Sequence, residues 1–174
     1  PGASTVTNAM LAGSIDLTTK VTGVLPVANS QVMTPAFSVG LSGNQTIGDA
    51  AYTKLQFNLE FFDTDSAFDS STNYNFTVPS GKAGKYFISA SARNTTATDF
   101  DSYYLRIQKN NAEWLFSSIR SEFRETITIA DVIDLSVGDT LHCEVYNGSG
   151  GNLDISGSSD KPSGTHFSGF KLLG

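Results

Sequence analysis

The chain has 174 residues, of which 39% are hydrophobic, 11% aromatic and only 16% charged, with a formal net charge of −6. This balance is typical of a folded globular domain and excludes an intrinsically disordered chain. The acidic charge also excludes the basic surface that a nucleic-acid-binding protein needs, and it disfavours electrostatic adhesion to anionic lipid. We therefore expect the protein neither to bind nucleic acid nor to insert into a membrane.

Residues 1–33 contain no aromatic residue and are rich in Ala, Ser, Thr, Gly and Asn. Within them, Asp16 to Asn29 reads D-L-T-T-K-V-T-G-V-L-P-V-A-N. This run resembles an element that recurs in phage tail-fibre proteins, often just before a terminal module. The resemblance implies a fibre-joining segment at residues 1–33, in which three copies bury apolar residues such as Leu25 against one another. A flexible linker is the alternative.

From Thr34 onward, apolar and polar residues alternate with period 2, and Gly, Asn, Asp and Ser clusters interrupt them. This pattern predicts an all-β fold. Because Asn tolerates positive φ angles, Asn110 and Asn111 predict a tight hairpin. The predicted strands lie near residues 36–41, 54–59, 74–79, 84–93, 103–109, 113–118, 122–130, 139–147, 152–156 and 165–173.

Several predicted strands carry aromatic residues on both faces. Phe87, Tyr146 and Phe170 lie on the faces opposite to those that would fill the core. A strand with one face in water should be polar along that face. These three residues are therefore candidates for an interface between subunits, and scattered surface aromatics are the alternative.

Five short segments occur in an order that gives the chain a second resemblance. They resemble the C1q/tumour-necrosis-factor-like domain, which implies a two-sheet antiparallel jelly-roll sandwich over residues 34–174 that assembles as a homotrimer. The stretch Leu41–Ala51 departs from the pattern of that family. The segments are Pro35–Ser38, Asn75–Pro79, Gly84–Ser89, Leu135–Thr140 and Phe167–Leu173.

No residue pattern indicates an enzyme. The two histidines, His142 and His166, lie in predicted strands, and neighbouring residues such as His142 and Cys143 point to opposite faces. Cys143 is the sole cysteine, so an intrachain disulfide is impossible, and its alternation with Leu141 and Val145 predicts a buried thiol.

The acidic cluster of Asp63, Asp65 and Asp69 has the oxygen ligands that calcium prefers but lacks the spacing of an EF-hand loop. The residues favour a solvated acidic loop without any cofactor, and a weak calcium site is the alternative.

Trp114, the sole tryptophan, follows the predicted hairpin, and Tyr103 and Tyr104 begin the preceding strand. Large rigid aromatics are favoured anchors at binding surfaces, so these three are candidate receptor contacts. The alternative for Trp114 is that it closes the open end of the sandwich.

Together these features predict the trimeric tip of a phage tail fibre, carried on the virion outside the cell. It would join the rest of the fibre and attach to a bacterial surface receptor, a glycan or a protein, through loops at its apex. One alternative is a structural role, as a trimerisation knob or capsid decoration without receptor binding. The other is a secreted C1q/TNF-like protein ligand.

Overall fold

The computed structural model describes residues 33–96, 100–121, 125–161 and 164–173. These residues form β-strands joined by turns and loops, and contain no helix. No membrane-spanning helix occurs in this described part of the chain. In chain order the strands are β1 (Ala36–Gly40), β2 (Gln45–Ile47), β3 (Ala51–Lys54), β4 (Leu59–Asp63), β5 (Phe68–Asp69), β6 (Asn75–Thr77), β7 (Gly84–Arg93), β8 (Phe100–Lys109), β9 (Ala112–Ser121), β10 (Thr126–Leu135), β11 (Thr140–Gly148), β12 (Leu153–Ile155) and β13 (His166–Lys171).

Two antiparallel sheets make up the body of the fold. Sheet I has the strand order β10-β7-β13-β1-β4. Sheet II has the order β5-β6-β11-β8-β9, and β3 also pairs with β11. A small third sheet joins β2 to β12. The prediction of an all-β, two-sheet antiparallel sandwich is confirmed.

The core lies between the two sheets and is filled by alternate residues of each strand. Tyr86 and Ile88 of β7 and Leu141 and Val145 of β11 are buried, as the period-2 pattern predicts. Cys143 is also buried, and burial raises the pKa of its thiol well above the usual value.

Stacked aromatic rings form the centre of this core. The ring centroids of Phe37 and Phe76 lie 4.7 Å apart with nearly parallel planes, and the edge of Phe167 meets Phe37 at 5.0 Å. Burying one such side chain contributes about 1.5–3 kcal/mol to the free energy of folding. The ring stack therefore joins β1 and β13 of sheet I to β6 of sheet II.

One strand predicted from the sequence corresponds to parts of two strands in the structure. Residues 54–59 were expected to form one strand, but β3 ends at Lys54 and β4 begins at Leu59. Between them the chain crosses from sheet II to sheet I. Leu55 and Phe57 are buried in that crossover, so the alternation of apolar residues continues through it without strand pairing to sheet I.

The sandwich has two distinct ends. Met33, the first described residue, lies at the end that also holds the β8–β9 hairpin, and we call this the entry end. Hydrogen bonds join segments at this end. Lys82 Nζ donates to Thr34 Oγ1 at 3.0 Å, and Asn110 Nδ2 donates to Asp139 Oδ1 at 2.8 Å. The opposite end, here the far end, is formed by loops that include residues 41–44, 48–50, 149–152 and 156–161.

Side-chain amides and carboxylates hold the far-end loops. Asn44 Oδ1 accepts a hydrogen bond from the Gly157 N–H at 3.0 Å, and Asp49 Oδ1 accepts one from the Gly150 N–H at 2.9 Å. Loops that are distant in sequence are thus fixed to one another at this end.

The chain divides into a unit of residues 1–32 and one of residues 33–174. The fibre-joining segment and Leu25 therefore lie outside the described residues, apart from Met33 itself.

Candidate binding surfaces

The middle of the outer face of sheet I presents an uncharged patch three rows deep. The exposed charged residues of this face lie outside those rows; they are Lys85, Arg93, Asp134 and Glu60. The strand register aligns Val132, Phe87, Phe170 and Ala36 in one row across four strands. The rings of Phe87 and Phe170 pack at a centroid distance of 5.5 Å. Their neighbours Tyr86 and Ile88 are buried, so Phe87 points outward, away from the core.

The next two rows of this face consist mainly of small residues. None of the side chains in the three rows is Asp, Glu, Lys or Arg. Burial lowers the pKa of His166, so its ring is neutral at pH 7. The second row is Ala130, Ser89, Ser168, Ser38 and Phe62, and the third is Thr128, Ser91, His166 and Gly40.

The outer face of sheet II carries a different surface, built from tyrosines and ion pairs. The register aligns Tyr52 of β3, Tyr146 of β11 and Tyr104 of β8. Tyr104 stacks on Tyr146 at 5.2 Å with an interplanar angle of 20°, and Tyr52 lies 5.2 Å from Tyr146 on its other side.

Arg106 stands in the row next to the tyrosines. Its Cζ lies 3.5 Å from the centroid of the Tyr52 ring, within the range of a cation–π interaction. Its Nη2 and Nε donate to Glu144 Oε2 at 2.6 and 2.9 Å. Arg106 therefore links the tyrosine row to the carboxylate beside it.

Glu144 is the centre of the hydrogen-bond network on this face. Its Oε2 also accepts a hydrogen bond from Gln108 Nε2 at 3.2 Å, and its Oε1 lies 3.2 Å from His142 Nε2. Burial alone would raise the pKa of Glu144, but the hydrogen bonds from Arg106 and His142 outweigh burial and lower it. Burial, with the charge of Lys54, lowers the pKa of His142. The carboxylate is thus ionised and the imidazole neutral at pH 7.

Trp114 and Phe116 continue this face on β9. Phe116 pairs with Arg106, and a register shift next to Ile107 leaves Trp114 as the extra residue of a β-bulge. The side chain of Trp114 is 47% exposed and that of Phe116 is 56% exposed. Lys109 Nζ lies 5.6 Å from the centroid of the Trp114 ring. The alternative that Trp114 closes the end of the sandwich is wrong.

The three predicted receptor contacts do not form one cluster. Tyr103 is fully buried in the core, so its prediction as a surface contact is wrong. Its neighbour Tyr104 points outward because successive residues of a strand face opposite sides. Trp114 follows the hairpin at the entry end, whereas the loops expected to bind a receptor occupy the far end.

The predicted interface residues also separate into two groups. Phe87 and Phe170 share the outer face of sheet I, whereas Tyr146 lies on sheet II beside Tyr104. Sequence reasoning missed Tyr52 and Arg106 altogether. The pairing of both β3 and β8 with β11 brings them together, and the β3–β11 pairing joins segments about half the chain apart.

The structure does not support the alternative of a weak calcium site, because each of its three carboxylates already bonds to another group. Asp63 Oδ2 accepts the Phe68 N–H at 2.7 Å, and Asp65 lies 3.4 Å from Lys82 Nζ. Asp69 accepts backbone N–H groups from Thr72 and its neighbours, and these bonds lower its pKa. Among the described residues, no three His, Cys, Asp or Glu side chains form a metal-binding group.

Neither a family model nor a curated protein matches the sequence. Solved structures do match it over most of its length. The globular domain of zebrafish complement 1qA protein is 21% identical, with a TM-score of 0.57, and the match covers 80% of this chain and 98% of that one.

Two further matches come from different proteins. PRD1 vertex protein P5 is 20% identical with a TM-score of 0.59, covering 82% of this chain and 100% of that one. Eiger TNF from S. frugiperda is 13% identical with a TM-score of 0.57, covering 79% and 92%. At these identities the comparisons show the fold, which is the C1q/TNF-like jelly roll.

Proposed function

We propose that this chain is a homotrimeric knob that forms the tip of a phage tail fibre and attaches it to a receptor on the bacterial surface. In this role it works outside the cell, on the virion, and binds without catalysing a reaction. The observation that supports the trimer most strongly is the uncharged patch in the middle of the outer face of sheet I.

That face has the composition of a surface that is covered by another copy. Phe62 and Val132, at the two edges of the face, are 51% and 48% exposed in the single chain. Removing such apolar surface from water contributes about 25 cal/mol per Å². The serine rows between the aromatic residues allow backbones of neighbouring copies to approach closely.

Threefold closure suits a face of this kind. In a threefold ring, one part of this face on each copy would meet a different part of the same face on the next, and a rotation of one third of a turn closes the assembly. A protein with a net charge of −6 gains from an interface that brings no charged side chains together. The matched C1q and TNF folds support this arrangement.

The connection of the chain supports a position at a fibre end. Residues 1–33, with their tail-fibre-like element, lead into the sandwich at the entry end. The far end then carries polar loops that are held by hydrogen bonds between distant segments. Three copies would present three equivalent sets of sites, which turns weak single contacts into avidity. A vertex protein among the structural matches also supports a place on a virion.

Light scattering on a sizing column tests the trimer. Three copies of 18.5 kDa give about 55 kDa, whereas a single chain gives 18.5 kDa. Phe87→Glu places a charge in the interface and should weaken association by about 3–5 kcal/mol. The matched control is Phe116→Glu, at the exposed phenylalanine of sheet II, which should keep the trimer mass. A wild-type monomer would contradict the proposal.

A cell-binding assay tests attachment. Labelled wild-type protein should adsorb to host bacteria, and the Phe87→Glu monomer should adsorb at least about tenfold less, because it loses avidity. A stable trimer that adsorbs to no host cell would reject receptor binding and leave a structural knob.

A further inference from the structure

We infer that the outer face of sheet II binds neutral oligosaccharides through an aromatic platform. The platform is the set Tyr52, Tyr104, Tyr146, Trp114 and Phe116, arranged around Arg106. This inference deepens the proposed function, on which its role in host attachment rests, by naming the ligand class and by placing the site on the side of the knob. It requires no contact at the far-end loops.

The strand register makes the platform a regular surface. One row runs from Tyr52 through Tyr146 and Tyr104 to Ser118, and the next runs from Lys54 through Glu144 and Arg106 to Phe116. Each row crosses four strands, which at the usual strand spacing is about 14 Å. This length suits a short oligosaccharide better than a single sugar ring.

The exposed rings supply the apolar part of the site. Phe116 and Trp114 are about half exposed, and Tyr52 is 37% exposed. Sugar rings have C–H faces that pack on aromatic faces, while their hydroxyls remain directed toward polar groups. An aromatic side chain with a polar tip, such as Tyr52 or Tyr104, supplies both kinds of contact.

The charges of the surface favour an uncharged ligand. Within the platform rows and the adjoining hairpin, Lys54, Arg106 and Lys109 equal Glu113, Glu144 and Asp139 in number, and Arg120 stands one row outside the platform. Arg106 pairs with Glu144, and Lys109 Nζ lies 3.0 Å from Asp139 Oδ2. Neither a polyanionic nor a polycationic chain would find a net opposite charge here.

Arg106 provides hydrogen-bond donors at the centre of the platform. Its guanidinium has five N–H groups. Of its described partners, Glu144 accepts two of these bonds, and Glu113 Oε2 lies 3.4 Å from Nη1. Two donors thus remain for ligand hydroxyls.

The platform is already rigid before a ligand arrives. Tyr104 is stacked on Tyr146, and the cation–π contact of Arg106 holds Tyr52. These side chains stand on paired strands rather than on loops. Binding therefore costs little conformational entropy, which favours weak ligands such as sugars.

A second copy of this chain suits the platform poorly. A protein interface would remove the Arg106, Glu144 and Glu113 charges from water, which is costly. A short oligosaccharide covers less surface and leaves these charged groups partly in contact with water. The uncharged patch of sheet I is the better surface for another copy.

The sole tryptophan makes the test direct. Because Trp114 lies on the platform, fluorescence excited selectively at tryptophan reports this surface without a contribution from the six tyrosines. The full chain is first applied to an array of neutral and acidic glycans of bacterial type, and bound oligomers are then titrated. We expect saturable change in Trp114 emission with neutral oligomers, with Kd on the order of 1 mM.

Two substitutions of one type locate the site. Phe116→Ala should weaken binding at least about tenfold. Phe62→Ala, which removes a similarly exposed ring at the edge of the proposed sheet I interface, should leave the Kd per subunit unchanged whether or not the trimer persists. Tyr52→Ala should weaken binding in the same direction as Phe116→Ala, and circular dichroism confirms that each variant is folded.

The inference fails if the array shows no neutral glycan bound, if acidic glycans bind better, or if the two phenylalanine variants bind alike. These outcomes differ from failure of the proposed function. Wild-type trimers that adsorb to host cells, with Phe116→Ala trimers adsorbing equally well, would overturn the platform alone. Glycan binding by a protein that is monomeric, or that adsorbs to no cell, would retain the site and reject the proposed function.

Discussion

Asn111 has a left-handed backbone conformation that few types of residue adopt. Asn110 and Asn111 have φ angles of +52° and +63°, as a two-residue hairpin turn requires. Asn111→Val should destabilise the protein by about 1–2 kcal/mol, because a Cβ-branched side chain is strained in the left-handed region. Urea unfolding at fixed protein concentration measures the loss. Asn111→Gly is the control and should unfold at the same or a higher urea concentration than the wild type; equal stability of the valine variant would contradict the prediction.

The same hairpin shows what single residues reveal before the structure is known. Two consecutive Asn residues between alternating strands predict the turn, and the structure confirms it. The adjacent tyrosines do not reveal which of them is exposed, since that depends on which face of β8 meets sheet I. Tyr103 was therefore a wrong candidate, although Tyr104, one residue later, lies on the platform.

At the scale of the element, the β2–β12 sheet depends on a close approach between two loops. A Cβ at Gly157 would lie 2.0 Å from the backbone oxygen of Gly43, which has no flexible side chain to move away. Gly157→Ala should therefore cost about 1–3 kcal/mol and displace the loop at residues 41–44. Urea unfolding and limited proteolysis would detect these changes. Gly151→Ala, whose Cβ would meet no atom within 4 Å, is the control; if the two variants were equally stable, the loops would not be packed as described.

A long strand was predictable where its alternation runs unbroken, and β7 has the predicted bounds, residues 84–93. β10 was expected over residues 122–130 but runs from Thr126 to Leu135, because three consecutive exposed residues, Ala130 to Val132, interrupt its alternation.

The short elements were not predictable. Within Leu41–Ala51, Ile47 is buried by pairing with Leu153, a partner more than a hundred residues away. Nothing in the local pattern around Ile47 indicates that pairing, so the path of this stretch could not be derived from the sequence.

At the scale of the whole molecule, the two sheets present outer faces of different chemistry. Aromatic residues on both faces of the strands indicated that some of them fill the core and others form a surface for binding. The pattern alone did not separate Tyr146 from Phe87 and Phe170, because assigning strands to sheets requires the three-dimensional pairing. Once they are assigned, one face has an uncharged patch at its centre and the other combines tyrosines with ion pairs.

This difference leads to a prediction about ionic strength. If the trimer forms through the uncharged rows of sheet I, its mass should stay the same between about 50 mM and about 1 M NaCl. At 1 M salt the Debye length is only about 3 Å, so an interface held by exposed ion pairs would weaken, whereas apolar contacts persist. Light scattering across this range measures the mass, and the Phe116→Glu trimer, with its added charge outside the proposed interface, should behave like the wild type. Dissociation at high salt would instead place charged side chains in the contact between copies and move the interface away from the Phe87 face.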